Sequence, residues 1–287
     1  MNELSIRCKQ LQKSYKGFHL GPIDATFPPG KVTGVFGPNG AGKTTLISLL
    51  IGAVKKESGV VLPSDGVTYG GVFDQPFLLP HTRVIDQIDA LCDAVGLDSE
   101  NRDSVVAECG LQPYLNRRVV KLSTGNRQRL ALALALIQNP DVFVLDEPLN
   151  GLDPEGIEWF HSKMKNLATV QKIVLLATHL LAEAEAITDR CIFLMEGRVI
   201  YEGDVSGILA SIGQSARYIC TDNESALENS CNQDVVYRDR ELLILHDPAM
   251  QVSGGLPLAD WSKEKHISLS ALYRLKVHDF LYSEGDD

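Results

Sequence analysis

Apolar positions follow two rhythms along this chain. Short β-rich runs, VTGVF after Lys31, VFVLD from Val142 and IVLLAT from Ile173, have the length and continuity of buried strands. The first leads through the glycine-dense GPNGAGK into a helical pattern, TTLISLLIGA, that Gly52 ends, and the third leads into a helical LAEAEAI. A strand-turn-strand text, CIFLMEGRVIYEG, follows. Strands alternating with helices predict a mainly parallel α/β core. Residues 85–139 instead carry helical spacing, in DQIDALCDAVGL, SVVAECGL and RLALALALIQ, which predicts a helical subdomain inserted into that core. After about Gly213 the pattern breaks into strand-like pieces, RYICT and ELLILHD, a loop with Pro248, Gly254, Gly255 and Pro257, and a final amphipathic SLSALYRLKVHDFL. A small C-terminal α+β appendage, residues 214–287, is expected there, its last helix packing against the rest of the chain or a partner.

Composition changes this picture in three ways. The 287 residues, 44% hydrophobic and 22% charged, are enough for a large core and exclude a disordered or fibrous chain. The longest apolar stretches, around residues 130–137 and 174–177, fall far short of the roughly 18 to 20 residues of a membrane helix, so the first reads as a buried helix. The net charge of −10, from 27 basic and 37 acidic residues, is the opposite of a nucleic-acid-binding footprint, and no nucleic-acid partner is expected. Six cysteines without CxxC spacing, and an N-terminus lacking the apolar core of a signal peptide, predict a reducing, cytoplasmic compartment.

The chemistry begins at Gly37, Pro38, Asn39, Gly40, Ala41, Gly42, Lys43 and Thr44, which match GxxxxGK[ST] between a strand and a helix. Glycines let successive N–H groups curl around phosphates, and the helix N-terminus adds positive potential. Lys43 is expected at the β/γ-phosphates, the Thr44 hydroxyl on Mg²⁺, and Thr45 at the α-phosphate. Such a loop needs a second metal-holding acid at the end of a neighbouring buried strand, and VFVLDEP supplies Asp146. Glu147, one residue on, is placed to take a proton from the attacking water. His179 ends another apolar strand; by itself it reads as a satisfied core histidine, with donation to the γ-phosphate as the alternative.

Together these residues resemble the ATP-binding-cassette (ABC) ATPase family, across about residues 1–213. The family's LSGGQ signature has its counterpart in Leu122, Ser123, Thr124, Gly125 and Asn126, followed by RQRLALALAL. The resemblance implies the family fold: a P-loop, RecA-like core with an N-terminal antiparallel β subdomain and an inserted helical subdomain, about residues 81–140. It also implies roles. Tyr15 is similar to the aromatic that stacks on adenine, and Gln75 to the glutamine that touches Mg²⁺ and the lytic water. Asn150 to Asp153 resemble the D-loop, with Asp153 crossing a dimer interface, and His179 falls at the switch histidine. Ser123, Thr124, Gly125 and Asn126 would face the ATP of a second cassette. Thr124, Asn126 and Asn150 depart from the family's usual glycine, glutamine and small hydroxyl residue, and none of the three removes a catalytic group.

The family closes two cassettes on two ATP molecules and reopens them by hydrolysis. The expected assembly is therefore a dimer, a homodimer or a heterodimer, bound to a separate polytopic membrane subunit at the cytoplasmic face of the plasma membrane. Its docking surface is expected near residues 76–93, including Asp86. The style of the P-loop and signature helix resembles bacterial exporter cassettes. The rival reading is a soluble ABC ATPase acting on a macromolecular complex, against which stand the single P-loop, the lack of a long coiled-coil insert and the charge of −10. A non-enzymatic nucleotide-gated module is the third, and intact Lys43, Asp146, Glu147 and His179 argue against it.

Overall fold

The computed structural model describes residues 4–63, 66–73 and 78–205, the segments 217–219, 235–239 and 242–245, and Leu269, Tyr273 and Val277. Two compact units are distinguished, Met1–Val199 and Ile200–Asp287, the division falling earlier than the Gly213 expected from the pattern change.

In the first unit, β1 (Ile6–Tyr15) pairs antiparallel with β2 (Phe18–Phe27) and with β4 (Ser58–Leu62). The parallel sheet is built on β3 (Val32–Phe36), β5 (Tyr69–Val72), β6 (Val142–Asp146), β7 (Ile173–Thr178) and β8 (Arg190–Met195). Its order is β5-β6-β7-β3-β8, and β9 (Arg198–Asp204) follows β8 in the chain. Every residue of β3, β6 and β7 is buried, which is why these strands read as apolar runs rather than alternations.

Helix α1 (Lys43–Leu50) buries Leu46, Ile47, Leu49 and Leu50 in a core shared with Leu11, Leu20 and Ile23 of the antiparallel sheet and Val144, Leu175 and Ile192 of the parallel one. Each fully buried aliphatic or aromatic side chain there contributes about 1.5–3 kcal/mol. A second core forms among α2 (Val84–Val95), α3 (Ser99–Glu108) and α4 (Thr124–Gln138), around Ile88, Val106 and Leu130. The apolar run at residues 130–137 lies in α4, with Leu130, Ala131, Leu132, Ala133, Ala135 and Ile137 buried. Helix α5 (Pro154–Thr169) connects β6 to β7, and α6 (Leu181–Glu185) follows β7. No helix among the described residues is long and apolar enough to cross a membrane. Cys8, Cys92, Cys109 and Cys191 are buried, and burial pushes the Cys109 thiol up to about 12.

The second unit carries an antiparallel sheet ordered β10-β12-β11, from β10 (Arg217–Ile219), β11 (Val235–Asp239) and β12 (Leu242–Leu245). The first and last of these are the strand-like RYICT and ELLILHD; β11 has no counterpart in the pattern reading. Of the final amphipathic segment, Leu269, Tyr273 and Val277 are helical, and the rest lies outside the described residues.

Candidate functional site

Parallel strands place their C-terminal ends at one edge of the sheet, where α/β proteins bind ligands. Here β7 lies between β3 and β6, with Phe36 opposite Thr178 and Asp146 opposite Ala177. That order brings together three loops remote in sequence: the P-loop after β3, the Asp146-Glu147 pair after β6, and His179 after β7.

The P-loop is shaped by its backbone. Gly40 and Gly42 have φ of +85° and +106°, a region that side chains strain to occupy. A Cβ on Gly42 would lie 2.6 Å from Leu20 Cδ1 and 2.9 Å from Phe18 Cζ, so the loop presses directly on β2. Gly42 caps α1, whose first N–H groups have no partner within the helix and point at the loop. Lys43 Nζ donates to Gly37 O (2.9 Å) and Pro38 O (3.3 Å) and lies 3.7 Å from Glu147 Oε1. The Thr44 hydroxyl donates to Asp146 Oδ2 at 2.8 Å. A hydroxyl and a carboxylate side by side form the hard oxygen pair that a Mg²⁺ ion takes.

Glu147 is held in an uncommon conformation, φ +51°, of the kind that costs on the order of 1–3 kcal/mol and persists where surroundings over-determine it. Its N–H donates to Ala177 O at 2.8 Å. Its carboxylate accepts from Thr178 Oγ1 (2.9 Å) at Oε2 and from His179 Nδ1 (2.9 Å) at Oε1. Since a carboxylate only accepts, Nδ1 carries a proton, and a further donation from Nε2 requires the imidazolium. The Glu147 side chain is 12% exposed and that of His179 43%. The acid is thus sheltered and fixed, while the imidazole reaches solvent.

Asn39, Gly40, Gly42, Lys43, Thr44, Thr45, Glu147, Asn150 and His179 line one cleft of about 580 Å³, together with Phe18. Phe18 and Thr178 were missed in the sequence. Tyr15 is 47% exposed and does not line the cleft, but it is the cross-strand partner of Phe18 in the β1–β2 hairpin. Opposed residues of an antiparallel pair share a face, so Tyr15 and Phe18 lie on one face of the hairpin. The period-2 alternation around Phe18 was the available signal. Gln75 and the start of the expected docking segment, Pro76 and Phe77, lie outside the described residues. Within that segment Asp86 is exposed and bonded to Arg83 (2.6 Å), whose guanidinium holds the Asp86 carboxyl below the usual range.

The signature residues stand elsewhere. Ser123 caps α4, its hydroxyl accepting from Asn126 N at 3.2 Å. Asp153 caps α5, accepting from Gly156 N at 2.8 Å. Neither these nor Thr124 and Gly125 line the cleft. They adjoin each other: a Cβ on Gly125 would lie 3.0 Å from Gly151 O, and one on Gly151 would lie 2.7 Å from Thr124 Cγ2.

Comparison with known proteins agrees with this geometry. Residues 20–150 match the family model described as ABC transporter. The lantibiotic transport ATP-binding protein SrtF of Streptococcus pyogenes is 31% identical over 210 residues, covering 70% of this chain and 92% of that protein. The probable multidrug ABC transporter ATP-binding protein YbhF of Escherichia coli is 33% identical over 221 residues, covering 71% of this chain and 38% of that protein. The structure of cbiO1 from Clostridium perfringens, part of the ABC transporter complex cbiONQ, superposes with a TM-score of 0.62 at 26% identity, over 74% of this chain and 94% of that chain. With P-loop residues, Glu147 and His179 in one cleft, Asp146 bonded to Thr44 of the P-loop and a signature at the start of α4, the chain belongs to the ABC transporter family as an ATP-binding subunit, an ATPase.

Proposed function

We propose that this chain pairs with a second cassette around two ATP molecules and so drives a separate polytopic membrane subunit in the direction of export, from the cytoplasmic face of the membrane. The observation that carries the pairing is that Ser123 and Asp153, though adjacent to each other through the Gly125–Gly151 contact, do not line the cleft that holds Lys43 and Glu147. A cleft completed by a second copy uses both surfaces, and an isologous pair makes two such sites. Export is supported by the lantibiotic and multidrug transport named for SrtF and YbhF.

In this reading the loop of Gly37, Pro38, Asn39, Gly40, Ala41 and Gly42 cradles the phosphates, with Lys43 at the γ-phosphate and Thr45 at the α-phosphate. Thr44 and Asp146, bonded to each other at 2.8 Å, would hold Mg²⁺ together with Gln75, and the ion would supply neutralisation of phosphate charge. Glu147, oriented by Thr178 and His179, accepts the proton of the water that attacks the γ-phosphorus as the bond to the bridging oxygen breaks. His179, when protonated, donates from Nε2 to the γ-phosphate. The base rests on the Tyr15–Phe18 face. Ser123, Thr124, Gly125 and Asn126 offer a helix N-terminus to the partner's ATP, and Asp153 lies at the same interface.

The test is Glu147→Gln, tagged and isolated with ATP from detergent-solubilised native membranes. Hydrolysis should fall by about 10²–10⁴ with ATP binding retained, the range for loss of a general base. A polytopic membrane protein should co-purify in stoichiometric yield. Recovery of only soluble assemblies would replace the transporter reading with that of a soluble ABC ATPase, and unchanged turnover would remove Glu147 as the base.

A further inference from the structure

Trp159 belongs to α5, which starts at the Asp153 cap, yet it packs on the core of the helical subdomain. Among the described residues packed on that core it alone comes from outside residues 78–137. Its indole Nε1 donates to Glu108 O at 2.6 Å, a carbonyl in the last turn of α3 that the helix itself leaves without an acceptor role. The Arg129 guanidinium of α4 lies over its ring, 4.4 Å from the centroid. One turn further along α5, Lys163 pairs with the Glu108 carboxylate at 3.1 Å. A single indole thus holds α3, α4 and α5 to one another.

The two helices it joins are the ones that begin at the signature and at the D-loop. The loop leading into α5 touches the start of α4, where Gly151 meets Thr124 and Gly125, and the helices meet again at Trp159 and Arg129. Arg129 is five residues beyond Thr124 and Trp159 six beyond Asp153, so the second contact lies about 7–9 Å along each helix, at roughly 1.5 Å per residue. Two contacts at that separation fix an angle; one leaves a pivot. We propose that Trp159 is a positioning residue that sets the angle between the signature helix and the D-loop helix, so that Ser123 and Asp153 are presented to a second cassette as one rigid surface. This rests on the paired-cassette reading.

The experiment compares Glu147→Gln, Glu147→Gln/Trp159→Ala and Glu147→Gln/Trp159→Phe in the full chain. ATP affinity is measured under dilute, monomeric conditions, and ATP-dependent dimerisation by sedimentation. Trp159 touches no part of the cleft, so ATP affinity should stay within about twofold. Trp159→Ala should weaken the dimer by about tenfold or more, because it frees the pivot. Trp159→Phe keeps a ring for Arg129 while losing the N–H and the second ring of the indole, so it should recover part of the loss, as a stacked cation retains about 0.5–1 kcal/mol, which is two- to fivefold. Unchanged dimerisation in Trp159→Ala overturns the proposal. So does a parallel loss of ATP affinity in Trp159→Phe, which would mark a merely structural role. If Glu147→Gln binds ATP without dimerising, the paired-cassette reading itself fails and takes this proposal with it.

Discussion

Gly151→Ala puts the contact between the D-loop and the signature to a quantitative test. Gly151 sits at φ +78°, where an L-residue costs about 1–2 kcal/mol in backbone energy alone. The new methyl would lie 2.7 Å from Thr124 Cγ2 and 3.0 Å from its Cβ. Thr124 can swing its methyl away only by turning χ1, which gives up the bond its hydroxyl accepts from Arg127 Nη2 at 3.2 Å. That exposed bond is worth about 1 kcal/mol, so the steric part of the cost should settle near the same figure. The variant should therefore lose about 2–3 kcal/mol of stability in total. In a cycle with Thr124→Gly, the steric part disappears while the backbone part remains, predicting a coupling of about 1 kcal/mol between the two sites. Urea unfolding of the four proteins, with m-values checked for constancy, measures it. A coupling below about 0.5 kcal/mol, the limit for independent sites, would refute the contact as described. Neither residue lines the cleft, so ATP affinity measured under dilute, monomeric conditions should be preserved throughout.

Two further outcomes concern the cleft itself. Lys43→Ala should weaken ATP binding about a hundredfold, since it removes a charged contact worth about 3 kcal/mol at the phosphates, and titration calorimetry showing wild-type affinity would remove the P-loop assignment. Phe18→Ala should weaken ATP about tenfold, a modest share of the 1–3 kcal/mol of a base–aromatic stack, while leaving tripolyphosphate binding unchanged. An equal loss for both ligands would mean that Phe18 only props Gly42, and no loss for either would move the nucleoside away from the β1–β2 hairpin.

Local signals carried much of the fold and the reactive residues. The P-loop is legible because phosphate binding needs consecutive residues: glycines that reach φ of +85° and +106°, then Lys43 and Thr44 on the first turn of a helix. Asp146 and Glu147 are legible because a strand buried on both faces must be apolar until it ends, and a polar residue at that end is conspicuous, whereas His179 by itself reads as a core histidine and is singled out only through the family resemblance. The helical subdomain is legible from its 3.6-residue spacing, clearest in α2, where Val84, Ile88 and Cys92 form one buried face.

Other features depend on which elements become neighbours, and periodicity is silent on that. The Thr178 hydroxyl is an unremarkable strand residue until the β6–β7 pairing puts Glu147 within 2.9 Å of it. Phe18 is one more aromatic of an edge hairpin until β2 folds onto Gly42 and sets the ring in the cleft. Trp159 reads as a helix residue of the core, and only the packing of α5 on the helical subdomain brings it to Glu108 and Arg129. Sequence by itself determined the chemistry that contiguous residues can perform, because glycine torsions, strand burial and helix faces are local constraints. Tertiary structure alone decided which hydroxyl and imidazole hold the Glu147 carboxylate, which aromatic ring lines the cleft, and that Trp159 reaches α3 and α4, because those contacts form between segments whose proximity is decided by how the elements pack.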